Sequence, residues 1–405
     1  MAEEYLVGTA DVEALPASIR PGDYAKSILY YVDRHLTPFT AIMSTLKKRE
    51  KAKDMKFWAY EQDIPKQQIY VNDADGLDAD DTDIVVDDGA GTSGLARTMR
   101  KNILLRVGSN PASGEVVRVS ADPASATTIV VERGFAGTTP DTIANNALLT
   151  VIGEASAEGE DSPTAYWAEP DEIFNYLQIF QHSWALTRVQ TQILTRFAES
   201  EEMRHKMQSY GQHALAREAA FLYGERSRQV APDADSRYRQ TTGGIATFID
   251  AGNVHDGSGA NFTKANFKAW VEPLSNYGNP QEKLVLMGGT AKSALHSMIE
   301  YGATMVMEPF ESKWGFRMSR LRTAGPDLVL MEHPWMTRYH PGEMLIVDLT
   351  ALTFMFLDDF ITQQVTLANN PNLVKSQFYS NCGLKAGIAK AHGRIYGITT
   401  FTKPA

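Results

Sequence analysis

Residues 189–226 read "VQTQILTRFAESEEMRHKMQSYGQHALAREAAFLYGER". No proline interrupts them. Met203, Met207, Tyr210, Ala214, Arg217 and Phe221 recur at three- and four-residue steps, the spacing of one face of a helix. The stretch predicts a single helix of some 35 residues, on the order of 50 Å long. That is long for a compact enzyme domain and predicts an extended molecule. Met203, Met207, Tyr210 and Phe221 are the expected core-facing residues.

On the N-terminal side, "EPDEIFNYLQIFQHSWALT" (169–187) has strand character. Before it, residues 84–153 read as short β-branched strands split by turns: "DIVVDD", "NILLRVG", "GEVVRVSA", "TTIVVERGFAG" and "ALLTVIG". This pattern suits a small barrel-like insert, followed by a Ser/Glu/Gly linker. "MKFWAYEQDIPKQQIYVN" (55–72) alternates with period two, breaks at Pro65 and reads as a hairpin. Phe57 and Ala59 fall on one face, Trp58 and Tyr60 on the other. A lone hairpin carrying Phe57, Trp58, Tyr60, Ile64 and Tyr70 must pack on its own body or on a neighbour. Residues 20–51 read as an arm with short helices, marked by Ile28, Tyr31, Val32 and His35, interrupted at Pro38 and ending basic.

On the C-terminal side, "NFTKANFKAWVEPLSNYG" reads as a helix started by Asn261 or Thr263, and "EKLVLMGG" as a buried strand. "TAKSALHSMIEYG" reads as a helix with Thr290 as its N-cap and Gly302 at its close. "DLVLMEHPWM", "GEMLIVDLTALTFMFLDD" and "ITQQVTLANN" read as strands, and "GRIYGITTF" near the end as a half-buried last strand.

The chain has 405 residues, enough for about two or three domains; it is 43% hydrophobic and 22% charged, with a net charge of −10. That balance disfavours gripping a nucleic-acid backbone. The single cysteine, Cys382, excludes an intrachain disulfide and zinc sites built on several thiolates. No run of about 18 apolar residues predicts a membrane span. The acidic N-terminus lacks a signal-peptide pattern, so a cytoplasmic location is expected.

No G-x-S-x-G, H-E-x-x-H, Walker A, G-x-G-x-x-G or C-x-x-C motif occurs. Four partial signals have plainer explanations. "GGTAKS" before a helix has the wrong spacing for a phosphate loop, because no glycine precedes Lys292. "DADGLDADDTD" fails at both ends of a calcium loop, with Val71 and Thr82 where oxygen ligands belong. Glu332, His333 and His340 would be a metal or hydrolase set, but Pro334 prevents helical pairing of the histidines. Cys382 and His392 have no orienting carboxylate in a compact motif. The expectation is therefore no enzyme, no cofactor and no metal.

The order of arm, aromatic hairpin, β-rich insert, strand, long helix, mixed region and late strands resembles the tailed-phage major capsid proteins of the Hong Kong 97 fold. Specific stretches sharpen the resemblance. Asn175, Tyr176, Gln178, Ile179 and Phe180 match an N-Y-x-Q-I-F stretch of one subfamily, and "TTGGIATFI" follows the long helix as it does there. Arg133, Gly134, Phe135, Gly137 and Thr138 match that subfamily's insert, and Ala391, His392, Gly393, Ile395 and Gly397 its closing strand. "SWALTRVQTQ" and "LANNPNL" depart from its patterns.

The resemblance implies an α+β chain divided into an arm (1–54), an extended-loop hairpin (55–83), an insertion domain (84–158) and a peripheral domain with the spine helix (159–240). An axial domain (241–350) and return strands (351–405) follow, with the closing strand in the peripheral domain. It implies a shell subunit forming hexamers and pentamers around double-stranded DNA, bound without sequence specificity. Portal, and scaffolding or decoration proteins, would be partners, with assembly in the host cytoplasm and no membrane. The inter-subunit contacts would come from Phe57, Trp58, Tyr60, Ile64 and Tyr70. Lys66, near the hairpin tip, is the one lysine placed for a cross-link of the kind seen in the founding phage, although a solvated lysine is the plainer reading. With no long charged N-terminal helix, any scaffolding protein is separate or a short leader is removed. An encapsulin-like compartment shell is the alternative of the same fold; neighbouring genes separate the two.

Overall fold

The computed structural model describes residues 37–45, 48–62, 66–89, 95–108, 114–161, 164–165, 169–192, 201–231, 237–301, 307–311, 317–323, 325–365 and 372–402. Ile28, Tyr31, Val32, His35, Ile64 and Gly302, named above, lie outside these residues. The chain forms two compact units, residues 1–60 with 172–405, and residues 61–171.

In the larger unit, Glu282–Met287 lies near the centre of a seven-stranded sheet. Its order is Val254–Asp256, Gly393–Tyr396, Met344–Val347, Glu282–Met287, Asp327–Glu332, Arg317–Leu321, Met307–Glu311. Glu282–Met287 runs parallel to Asp327–Glu332 and antiparallel to Met344–Val347. A strand covered on both faces needs an unbroken apolar run. Here Leu284 and Leu286 enter one core, while Val285 and Met287 enter another. The second core is closed by the helices Lys264–Val271 and Gly289–Tyr301, through Phe267, Val271, Ala294, Leu295 and Met298. The Thr263 hydroxyl accepts from Asn266 N–H and starts the first of these helices. Thr290 is not a cap, since its helix begins at Gly289.

A four-stranded sheet runs Arg49–Lys51, Leu352–Val365, Leu373–Ala386, Gln178–Thr187. The long helix packs on it through Phe221, which meets Phe354 edge-on at 5.7 Å. The helix observed is Glu201–Tyr223, 23 residues, preceded by a short helix at Arg188–Gln192.

Its buried face differs from the expected one. Phe221 is 1% exposed, and Tyr210, though 48% exposed, meets the Phe378 ring of the sheet edge-on at 5.9 Å, but Met203 and Met207 are 58% and 45% exposed. Ser209, His213, Glu218, Phe221 and Leu222 are the buried residues instead. The sheet beneath adds polar partners to its apolar ones: His213 Nε2 lies 2.8 Å from Ser380 Oγ, and its Nδ1 3.3 Å from His182 Nδ1. Polar partners opposite a helix let polar residues be buried there, and an apolar count alone then misplaces part of the face.

The smaller unit is a closed barrel of Gln68–Val71, Asp83–Asp87, Thr128–Glu132, Val116–Val119, Ile103–Val107 and Leu148–Glu154. Ile69, Ile84, Val86, Leu105, Val117, Val119, Ile129, Val131 and Leu149 fill it. The barrel contradicts the hairpin read over 55–83. Lys56–Glu61 pairs with Asp171–Tyr176, forming a two-stranded ribbon, and Gln68–Val71 is a barrel strand. Period two shows that a segment is a strand but not which strand it pairs with.

Pro38 begins the helix Pro38–Thr45, as suits a residue with no N–H to satisfy, and the segment it was expected to interrupt lies outside the described residues. Two further expectations, on "HPWM" and on the closing strand, are corrected. "HPWM" opens the helix Pro334–Tyr339, with His333 at its N-cap. The closing strand, Gly393–Tyr396, lies in the seven-stranded sheet and not in the sheet under the long helix. Its alternation ends at Gly397, whose φ is 73°, so Ile398 is buried as well as Ile395.

Because the barrel holds its own core, residues 61–171 expressed alone should fold and unfold cooperatively by circular dichroism. A non-cooperative melt would show that this core needs the rest of the chain.

Candidate functional site: buried polar nodes and exposed apolar faces

The residues of the partial motifs are each occupied in structural roles. Lys292 Nζ donates to Glu332 Oε2 at 2.8 Å, and Glu332 is held below the usual carboxylate range chiefly by that bond. His333 is fully buried and its Nε2 contacts Glu218 Oε1 at 2.8 Å. His340 stacks on Tyr223 with ring centroids 4.4 Å apart. The three are therefore held by three different partners. Among the described residues no cluster of three or more His, Cys, Asp or Glu side chains is placed to hold a metal.

Cys382 is buried at the centre of its sheet, opposite Gln178 and Phe356. His392 is fully buried elsewhere: its Nδ1 accepts from Asp348 N–H at 3.1 Å and its Nε2–H donates to Gly387 O at 3.2 Å. Burial pushes His392 down to about 4, outweighing the Gly387 carbonyl and the Asp348 charge, so the ring is neutral. It belongs to a node around Lys283 and Asp348, whose side chains are 0% and 1% exposed and 2.8 Å apart. Asp348 also accepts from Asn279 N–H, Thr350 N–H and Thr350 Oγ1, and Lys283 Nζ also donates to Tyr277 O. Gly278 has φ 69°, and a Cβ there would meet Asp348 Oδ2 at 2.1 Å, so only glycine fits.

The acidic loop is an arginine-bound turn. Arg133 uses every N–H of its guanidinium: two bonds to Glu115, and the others to the carbonyls of Asp78, Asp81 and Asp141. Burial alone raises Glu115, but Arg133 and the N–H groups of Gly134 and Asp141 outweigh it and hold its carboxyl below the usual range. The "RGFAG" stretch thus supplies the clamp, with Gly134 and Gly137 at positive φ. In the other unit, Asn175 donates to Thr242 Oγ1, Gly243 O and Leu384 O, and accepts from Gly243 N–H and Tyr176 N–H. Gln178 Oε1 accepts from Thr242 N–H. The "NYLQ" and "TTGG" stretches are therefore two halves of one buried hydrogen-bond node.

Of the expected contact residues, the ribbon carries three. Phe57 is buried with Ala52, Leu177 and Met355; this corrects its assignment to a neighbour contact, because its face is already covered within the subunit. Trp58 and Tyr60 are 41% and 63% exposed on the opposite face. Lys56 Nζ sits over both the Trp58 ring (5.0 Å) and the Phe174 ring (4.1 Å), and Arg226 lies over Phe174 at 4.0 Å. Tyr70 is half-buried on a barrel strand in the other unit, so the set does not form one hairpin surface. Lys66 pairs with Asp88 at 3.2 Å and is half-exposed. The exposed Met203, Met207 and Tyr210 of the long helix, and Val230 and Tyr238 of the ribbon Ser227–Ala231 with Arg237–Thr241, are among the further apolar exposures that sequence reading missed or misplaced. The low apolar content of the buried helix face was the one available signal for the former.

A family model described as SU10 major capsid protein matches residues 21–399. The major capsid protein of Pseudomonas phage PaMx41 is 23% identical over 270 residues, 62% of this chain; the chain spans 61% of that relative's length. Among solved structures, the capsid of a native GTA particle is similar with a TM-score of 0.46 and 11% identity, covering 96% of this chain and 98% of that one. Mycobacterium phage Bobi gives 0.44 and 9%, covering 94% and 96%. The holo-SrpI encapsulin complex of Synechococcus elongatus gives 0.42 and 9%, covering 60% and 81%.

Proposed function

The chain belongs to the SU10 major capsid protein family, and from that premise we propose that copies of it build the closed shell of a phage head, as hexamers and pentamers around double-stranded DNA. Family membership over nearly the whole chain carries this reading. The ribbon supports it: one face is packed inside the subunit while Trp58 and Tyr60 on the other remain exposed, the composition of an interface anchor. The net charge of −10 suits a shell that encloses DNA without gripping it. A portal protein, and scaffolding or decoration proteins, are the further partners of this reading, and the virion capsid, assembled in the host cytoplasm, is its location.

Electron microscopy and sedimentation of the purified chain test the proposal. Closed particles or capsomers are expected; a monodisperse monomer at every salt and protein concentration would sink it. Genes for terminase and portal are expected beside this one, whereas a cargo-enzyme gene would move the reading to a compartment shell. Trp58→Ala should lower particle yield and particle melting temperature by removing about 2 kcal/mol or more per contact. The isolated subunit should melt nearly unchanged, because Trp58 faces outward.

A further inference from the structure

Lys56, Arg226 and Arg228 each lie over an aromatic ring. Lys56 Nζ is 4.1 Å from the Phe174 centroid and 5.0 Å from that of Trp58. The Arg226 guanidinium is 4.0 Å from the Phe174 centroid, and that of Arg228 is 4.1 Å from the Tyr238 centroid. Arg226 also donates to Phe174 O at 2.6 Å. Held cations thus stand beside exposed rings, with Trp58 41% and Tyr238 60% exposed. Among the described residues none of the three cations pairs with a carboxylate. Glu172 alternates onto the same face as Phe174, and Glu225 adjoins Arg226, but neither is their partner. Aromatic rings with cations held over them have the composition of an interface, and these cations select an acidic one.

The chain also carries the opposite half. Residues 73–83 hold Asp73, Asp75, Asp78, Asp80, Asp81 and Asp83. Among the described residues no cation pairs with any of them. The loop is nevertheless built. Leu77 is buried in the barrel core and bridges Ile143. Arg133 grips the carbonyls of Asp78 and Asp81 and leaves their carboxylates to solvent. Like charges fixed on one turn repel, and a counter-charge brought to them relieves that repulsion. A fixed turn also loses little conformational entropy on docking.

We propose that the cations Lys56, Arg226 and Arg228 of one copy receive the acidic loop 73–83 of a second copy. Each copy carries both halves, so the contact is heterologous. The loop of each copy docks on the cations of the next, and successive contacts close into a ring. This rests on the shell reading and names the surfaces that meet within it.

Sedimentation velocity and electron microscopy of the full chain test it. Lys56→Glu with Arg228→Glu, and separately Asp75→Lys with Asp80→Lys, should each raise the protein concentration needed for assembly at least tenfold. Mixing the two defective proteins should restore assembly, because each offers the charge that the other's opposite surface has lost. Circular dichroism checks folding. If a reversal unfolds, Lys56→Gln with Arg228→Gln and Asp75→Asn with Asp80→Asn carry the test, with a severalfold loss expected from each. Wild-type assembly in either variant overturns the contact and leaves the shell reading standing, whereas a wild-type chain that never assembles overturns both. No recovery in the mixture overturns it too, and recovery in the fourfold variant alone places the contact within one chain. The other occupant is nucleic acid: double-stranded DNA bound by unassembled subunits, and lost in a Lys56→Glu, Arg228→Glu protein that assembles normally, would put phosphates in place of the loop.

Discussion

Asp348→Ala should destabilise the free subunit by about 3–5 kcal/mol, because it leaves the Lys283 ammonium buried without its counter-charge. The magnitude follows from burial: the two side chains are 0% and 1% exposed, so water cannot replace the lost partner. The backbone N–H groups of Asn279 and Thr350 lose their acceptor in the same change. Lys283→Met should destabilise in the same direction, and the double variant by less than the sum, with a coupling of about 1–3 kcal/mol. Thermal unfolding of the four proteins decides it; additive losses would mean that the pair contributes nothing as a pair.

The same node sets a response to acid. His392 has a folded pKa of about 4 against an ordinary 6.5. The unfolded chain therefore binds the proton first, and stability falls as pH drops from about 6.5 toward 4. Asp348 comes next. Burial alone would raise its pKa, but Lys283, Thr350 and Asn279 hold it below the ordinary 3.8. A depressed carboxylate contributes stability above its ordinary value and loses it as pH falls through the folded one. A two-stage loss is expected, with the second stage reduced in Asp348→Ala and not abolished, because Glu115 and Glu332 are depressed carboxylates too. A flat profile from pH 7 to 4 would contradict the neutral His392.

Glu218→Ala should cost a comparable amount, about 3–5 kcal/mol. One carboxylate, on the long helix, accepts from the first N–H groups of the helix Pro38–Thr45 and from His333, the N-cap of Pro334–Tyr339. Its removal orphans several buried donors together and unties two helix starts from the third helix. Besides a lower melting temperature, chymotryptic cleavage at Phe39 should accelerate, since that ring is fully buried only while its helix is docked. Glu218→Gln keeps the shape and one acceptor oxygen and should fall between. Unchanged cleavage at Phe39 in Glu218→Ala would show that apolar packing of Phe39, Ile42 and Met43 holds the helix by itself.

Much of this molecule was legible along the chain. The barrel strands at 84–154, the buried run "EKLVLM" and the helix ending at Tyr223 each announce themselves by a period of two, an unbroken apolar run or a period near 3.6. These are local properties, set by side chains within a few residues of one another. The stretches that carry the family resemblance were legible too, because they are the nodes: Asn175 with Thr242 and Gly243, and Arg133 with Glu115.

Only the tertiary structure decided which segments meet. The strand of Phe57 and Trp58 pairs with Asp171–Tyr176, far along the chain, rather than with its neighbour in sequence. The long helix buries His213 and Glu218 and exposes Met203 and Met207 because Ser380, His333 and the start of Pro38–Thr45 supply polar partners from distant parts of the chain. A strand's period does not name its partner. Whether a charged side chain can be buried depends on the group opposite it, which for Glu218 and Phe39 lies 179 residues away.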